Sequence, residues 1–161
     1  MKPVALPRDD LDAFEADLLS GGIVTHVLEA WCGGRVHAEV QSGVRVEPTA
    51  DQRERLGIGI GIDAPVGFRR VRLMHGDIVL SQADNWYVAS RLTPAMNVAL
   101  ADSDTPFGVV IRPLEPVRHT LAVERLGIGD HILRLSALVV GGDGRPLAEV
   151  AELYRRACLL R

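Results

Sequence analysis

Apolar positions along the chain switch between a period of two and a period near 3.6, and the switches mark its elements. From Arg35 to Gln41 they alternate, with Val36, Ala38 and Val40 on one side and His37, Glu39 and Gln41 on the other. That predicts a strand with one wet face. Ser42-Gly43 turns it, and Val44 and Val46 are expected to continue as an antiparallel partner. Upstream, Leu11, Phe14, Leu18 and Leu19 form one face of a helix that opens at Pro7-Arg8-Asp9-Asp10, with Asp9 or Asp10 as its cap, and stops at Ser20-Gly21-Gly22. Ile23 to Trp31 reads as a second helix, with Val24, Val27, Leu28 and Trp31 on one side and Gly33-Gly34 as its stop. The two pieces make a helical hairpin suited to a lid, and the paired glycines on either side let the second helix move as a unit. Pro48-Thr49 starts a short charged helix, where Thr49 and Gln52 have capping-box spacing.

Beyond residue 65 the strands dominate. Phe68 to Met74 puts Arg69, Val71 and Leu73 on one face and Arg70, Arg72 and Met74 on the other. His75-Gly76-Asp77 turns into a strand from Ile78 to Val88. Thr93 as N-cap and Pro94 at the first helical position begin a helix through Leu100, and Thr105-Pro106-Phe107-Gly108 forms a tight turn. Val117 to Arg125 alternates, with Leu121 and Val123 on one face. His131 to Val140 is strongly apolar, Gly141-Gly142-Asp143-Gly144 is a hairpin signal, and Pro146 to Leu159 returns antiparallel. Helices early and in the middle, with strands joined by short turns, predict an α+β fold on an antiparallel sheet, one domain over 1–161.

Composition narrows the function. The 161 residues are 47% apolar, 24% charged and 4% aromatic, so the expected core is Leu, Val, Ile and Ala in a soluble domain. A net charge of −3 with no basic block argues against a nucleic-acid partner. No stretch has the length of a membrane span, no signal peptide is read, and two cysteines, Cys32 and Cys158, at no metal spacing set a reducing cytoplasm as the expectation. The five histidines are scattered, so no metal ligand set is expected, and no nucleophile motif is present. Leu56 to Ile62, LGIGIGI, lacks the strand–turn–helix context of a phosphate loop and reads as a flexible or edge segment.

The chemistry concentrates around Ile78 to Ile111. Its strand carries Asp84, Asn85, Trp86 and Tyr87 in one run, and its turn offers backbone N–H groups able to hold an anion. Arg69 has the parity of Val71 and Leu73, and an inward arginine needs an anionic partner, either a Glu or a ligand carboxylate. In the last strand either Glu149 or Glu152 is a candidate buried acid, since burial lifts a carboxyl above its usual value of about 4.3. The alternative for both is solvation or an ion pair.

The order of these segments resembles chorismate lyase and the related effector-binding (UTRA-like) domains of some bacterial transcription regulators. Leu18 to Glu29 is similar to that family's first helical flap, Arg69 to Leu73 to the strand bearing its substrate arginine, and Thr105-Pro106-Phe107-Gly108 to its Thr-Pro-Leu-Gly turn. Gly144 to Leu147 followed by Glu152-Leu153-Tyr154 is similar to its last hairpin and catalytic glutamate, with a spacing one residue longer. Asn85 stands where the family has another arginine. The resemblance implies an antiparallel sheet with helices on one side and helical flaps over an internal ligand cavity. It also implies conversion of chorismate to 4-hydroxybenzoate and pyruvate without metal or organic cofactor. Arg69 would pair with the ring carboxylate, helped by the N–H of Phe107 or Gly108, with Asn85 at the second anionic group. Glu152 would move the proton, and Val24 and Thr25 would close the cavity. The alternative is a non-catalytic module binding an aromatic or cyclohexadienyl carboxylate.

Overall fold

The computed structural model describes residues 8–59 and 64–159. The expected helix start at Pro7 and the Ile60–Ile62 end of the glycine-rich run lie outside them, and nothing is described of the Asp9 side chain. In chain order the elements are α1 (Arg8–Leu19), α2 (Val24–Cys32), β1 (His37–Val40), α3 (Ala50–Arg55), β2 (Val66–His75) and β3 (Ile78–Val88), then α4 (Pro94–Asp102), α5 (Phe107–Val110), β4 (Val117–Ile128), β5 (His131–Val140) and β6 (Pro146–Arg155). The six strands form one antiparallel sheet in the order β1-β2-β3-β6-β5-β4. The chain is α+β, as its periodicity predicts.

Register assigns the faces. Arg69 opposes Asn85, and Asn85 opposes Val150, which opposes Ala137. One step along, Val71, Ala83, Glu152 and Leu135 stand in a row. These rows belong to the face that packs with α1, α2, α4 and α5 in the main core, where Phe14 sits edge-on to Trp31 at 5.5 Å and to Tyr154 at 5.7 Å. Phe68, Trp86 and Glu149 lie on the opposite face. Leu56 and Ile58 pack there on Trp86, Val66 and Val88. The first part of the glycine-rich run is therefore a packed anchor, where a flexible or edge segment was expected. The α3 turn before it is held by the capping box, the Thr49 hydroxyl accepting from the Gln52 N–H.

Other expectations are corrected. Val44 and Val46 form no strand and are exposed. The partner of β1 is β2, and Gln41 extends that ladder by donating to the Arg70 carbonyl at 2.8 Å. Residues 43–49 run as coil instead, where Trp86 Nε1 donates to the Val46 carbonyl at 2.9 Å and Arg45 to that of Val66 at 3.1 Å. Leu19 ends α1 exposed, because Leu18 takes the inward position there. Thr105-Pro106-Phe107-Gly108 is no isolated turn: Phe107 and Gly108 are the first residues of α5. In β4 a register shift between Thr120 and Ala122 makes Leu121 an extra, exposed residue and separates it from half-buried Val123.

Gly67 faces Tyr87 across the β2–β3 pair, and a Cβ there would lie 2.3 Å from the Tyr87 ring. Gly67→Ala should therefore push aside Tyr87, which packs against Phe107 at 5.9 Å. We expect a loss of about 1–3 kcal/mol, read from urea unfolding. Unchanged stability would mean that the ring swings out freely.

Candidate functional site

A cavity of about 390 Å³ opens between the sheet, the α1–α2 link and the α5 region, a size typical of small-molecule sites. The sheet gives it Val71, Ala83, Asn85, Val139, Val150 and Glu152. Gly21 to Thr25 cover it from the flap, and Phe107, Gly108 and Ile111 close the α5 side. Arg112 and Glu115 lie at its exposed margin. The flap follows from the local sequence. Gly21 and Gly33 hold φ of 87° and 75°, a left-handed backbone that suits glycine, and bound a helix that buries Leu28 and Thr25.

Of the residues singled out from the sequence, Val24, Thr25, Asn85, Phe107, Gly108 and Glu152 all line this cavity. Arg69 is on the same face, 3% exposed, but beside the cavity and not part of its wall. Its Nη2 donates to the Ser103 carbonyl at 2.8 Å, whereas Nε and Nη1 are buried without a hydrogen-bond partner. Burial lowers its pKa from the usual arginine value, and Tyr87 and Asp104 only partly oppose that. Across the strand pair from it, Asn85 is buried and lines the cavity. The amides of Phe107 and Gly108 head α5, where helical N–H groups have no partner within the helix.

Both candidate glutamates are buried, on opposite faces, and both are ion-paired. Glu149 accepts from Arg55 of the α3 turn at 2.5 and 3.1 Å. Glu152 is no isolated acid: Arg118 Nη1 and Nη2 donate to its two oxygens at 3.1 and 2.5 Å. Burial alone would lower the Arg118 pKa, but the Glu152 charge and hydrogen bonds outweigh it and raise the value, so the guanidinium stays charged. The buried Tyr154 phenol is pushed well up by burial and then by Glu152. Arg70 pairs with Asp84 at 2.7 and 2.9 Å and, like Arg72, has the parity of the far face.

Arg118 was not legible in the sequence. Strict alternation through Leu121 and Val123 places it on the other side of β4, and the bulge reverses that phase.

No family model matches the chain. The effector domain of PhnF from Mycobacterium smegmatis superposes with a TM-score of 0.63 over 84% of this chain and 89% of that one, at 15% identity. The ligand-binding domain of a protein assigned to the GntR regulator family, from Bordetella bronchiseptica, gives 0.54 over 76% and 84%, at 16% identity. The fold is chorismate lyase-like, in its UTRA form. At these identities the likeness is one of fold. In sequence, the chain is 36% identical over 124 residues to the uncharacterized protein y4mC of Sinorhizobium fredii, covering 72% of this chain and 52% of that protein. The chain thus spans about half the length of that relative. Among the described residues no helix is long and apolar enough to cross a membrane.

Proposed function

We propose that this chain is a binding domain for a small organic carboxylate with one aromatic or cyclohexadienyl ring, held in the cavity under α2. The observation that carries the reading is the cavity itself, with apolar walls and the polar side chains of Asn85, Arg118 and Glu152 in its lining; Arg69 stands beside that lining as a buried guanidinium with Nε and Nη1 unpartnered. A buried cation without an anion is unfavourable, and a ligand carboxylate beside it supplies the missing acceptor. The Asn85 amide and the N–H groups of Phe107 and Gly108 add neutral donors on the same side. α5 has four residues, so it contributes those two amides rather than a helix dipole. Val71, Val139, Val150 and Phe107 supply walls for an apolar ring. The fold neighbours named as effector and ligand-binding domains support the same reading.

A second reading, chorismate lyase chemistry, is favoured by the place of Glu152 in the cavity wall. Aromatisation would drive loss of the enolpyruvyl group, and positioning with one acid/base can suffice. The bidentate hold of Arg118 on Glu152 weighs against it, because a proton-transfer group must be free to reach the departing side. Titration with 4-hydroxybenzoate, together with chromatography for 4-hydroxybenzoate and pyruvate after incubation with chorismate, separates the two. Saturable 4-hydroxybenzoate binding without turnover is the expected result; no binding would overturn the proposal. Were turnover found, Glu152→Gln should slow it about 10²–10⁴-fold, and a full rate in that variant would remove Glu152 from the chemistry.

A further inference from the structure

We propose that Cys32 and Cys158 are a redox pair, whose oxidation to a disulfide staples the flap helix α2 to the segment that follows β6.

The two thiols are far apart in sequence and come together at one end of the sheet. Cys32 is the last residue of α2, which Gly33 ends with its left-handed backbone and an N–H donated to the Glu29 carbonyl at 3.0 Å. Cys158 lies in the short turn Arg156–Leu159 that leaves β6. That turn packs on α2, α1 and β3. Aromatic rings beside the thiols fix the approach. Trp31 meets Phe14, and Phe14 meets Tyr154, so ring contacts run from the end of α2 to the end of β6. Cys32 packs against the core cluster that contains Cys158. The thiols are close enough for charge on one to act on the other. Burial pushes the Cys158 thiol up to about 12, and Cys32 adds to the rise.

Packing alone explains Cys158, which is fully buried in the main core and donates to the Leu80 carbonyl at 3.2 Å. Packing does not call for a second thiol beside it. Cys32 is half-buried and held by weak contacts, 3.6 Å to the Gly34 carbonyl and 4.0 Å to that of Glu29. Both cysteines are free, and oxidation gives up little bonding. Among the described residues no third His, Cys, Asp or Glu joins them as a metal site would need.

The oxidant is a small-molecule disulfide such as oxidised glutathione. Cys32 is the thiol that reagent can reach. Its thiolate attacks one sulfur of the reagent, forms a mixed disulfide and releases one small thiolate. Cys158 then loses its proton, which ends on a released thiolate, and its sulfur attacks that of Cys32. The second small thiolate leaves. Two protein thiols and one disulfide thus become one protein disulfide and two small thiols, and two electrons pass from the protein to the reagent. The raised pKa of Cys158 slows the second step, and it also means that no stabilised thiolate favours the reduced state.

The staple acts on the cover of the cavity, whichever small molecule lies beneath. Val24 and Thr25, at the start of α2, line that cavity. Pinning the last residue of the same helix to the end of β6 removes its freedom to lift as a unit between Gly21-Gly22 and Gly33-Gly34. In a reducing compartment the pair stays as two thiols, and a rise in disulfide closes it.

The test incubates the full chain at neutral pH with oxidised glutathione and examines it unreduced by mass spectrometry. The expected product is a single chain lacking two hydrogens, with the Cys32 and Cys158 peptides joined. Its Tm should be higher by about 5 °C or more, since a cross-link spanning most of the chain restrains the unfolded state strongly. Amide exchange in α2 should slow at least about tenfold, and a dithiol reductant should reverse every change. Cys32→Ser, at the half-buried position, should fold and lose the whole response. Glutathione retained on Cys32 with Cys158 still free overturns the proposal, as does a disulfide between two copies. Cross-linking only in denaturant overturns it too. An internal disulfide that leaves α2 exchange unchanged does the same, because it would not be holding the flap.

Discussion

Replacing Arg69 by methionine should abolish 4-hydroxybenzoate binding and at the same time raise the stability of the ligand-free protein. The two effects share one cause. In the folded chain the guanidinium is 3% exposed and makes a single hydrogen bond, from Nη2 to the Ser103 carbonyl. Its charge is disfavoured by burial, as the direction of its pKa shift records. A ligand carboxylate would relieve that, so removing the arginine forfeits a buried charge-assisted pair of roughly 2–5 kcal/mol, a weakening of at least about 30-fold. Exchanging a buried, under-satisfied ion for an apolar side chain of similar volume commonly stabilises by about 1–4 kcal/mol, and the lost bond to Ser103 returns about 1 kcal/mol of that. A Tm higher by a few degrees, with no calorimetric signal for the ligand, is the expected pair of results. If the variant binds normally, the carboxylate sits elsewhere. If Tm instead falls steeply, Arg69 is holding the α4–α5 link through Ser103, and its role is architectural.

Arg118→Met should have the opposite effect on stability, a loss of about 3–5 kcal/mol. It strands Glu152, 7% exposed and deep on the covered face, beside a phenol already disfavoured as an anion. Arg118→Met/Glu152→Leu should recover most of the loss, because the penalty is the unpaired charge and not the missing attraction. Urea midpoints for the two single variants and the double variant give the coupling directly. The Arg55–Glu149 pair is the internal comparison. Its arginine side chain is 40% exposed, so water can partly replace it and Arg55→Met should cost less than Arg118→Met. Equal losses for the two arginines, or a double variant no better than Arg118→Met, would show that the cavity pair contributes through packing alone.

Much of this protein was settled by local pattern. Period-two alternation placed β1 and β2 and separated Arg69 from Arg70 and Arg72, and burial in the folded chain made the Arg69 face the inner one. Thr49, Thr93 and the glycines after each early helix set their ends, because caps and left-handed backbone depend on the residue at that position. The cavity residues Val24, Thr25, Asn85, Phe107, Gly108 and Glu152 were named through the resemblance to the chorismate lyase family, since pattern alone left Glu149 and Glu152 open. What remained undetermined was partnership. Alternation marks Val44 and Val46 as strand-like but carries no information about which edge is free, and β2 had already taken the edge of β1. Glu149 and Glu152 differ only in face, and the arginine that pairs with each lies 94 and 34 residues away in sequence. The bulge after Thr120 reverses the phase of β4, so Arg118 enters the cavity from a position that strict alternation turns outward. Which charge is neutralised and which is left open is a property of long-range register, and register is fixed only when the strands pair.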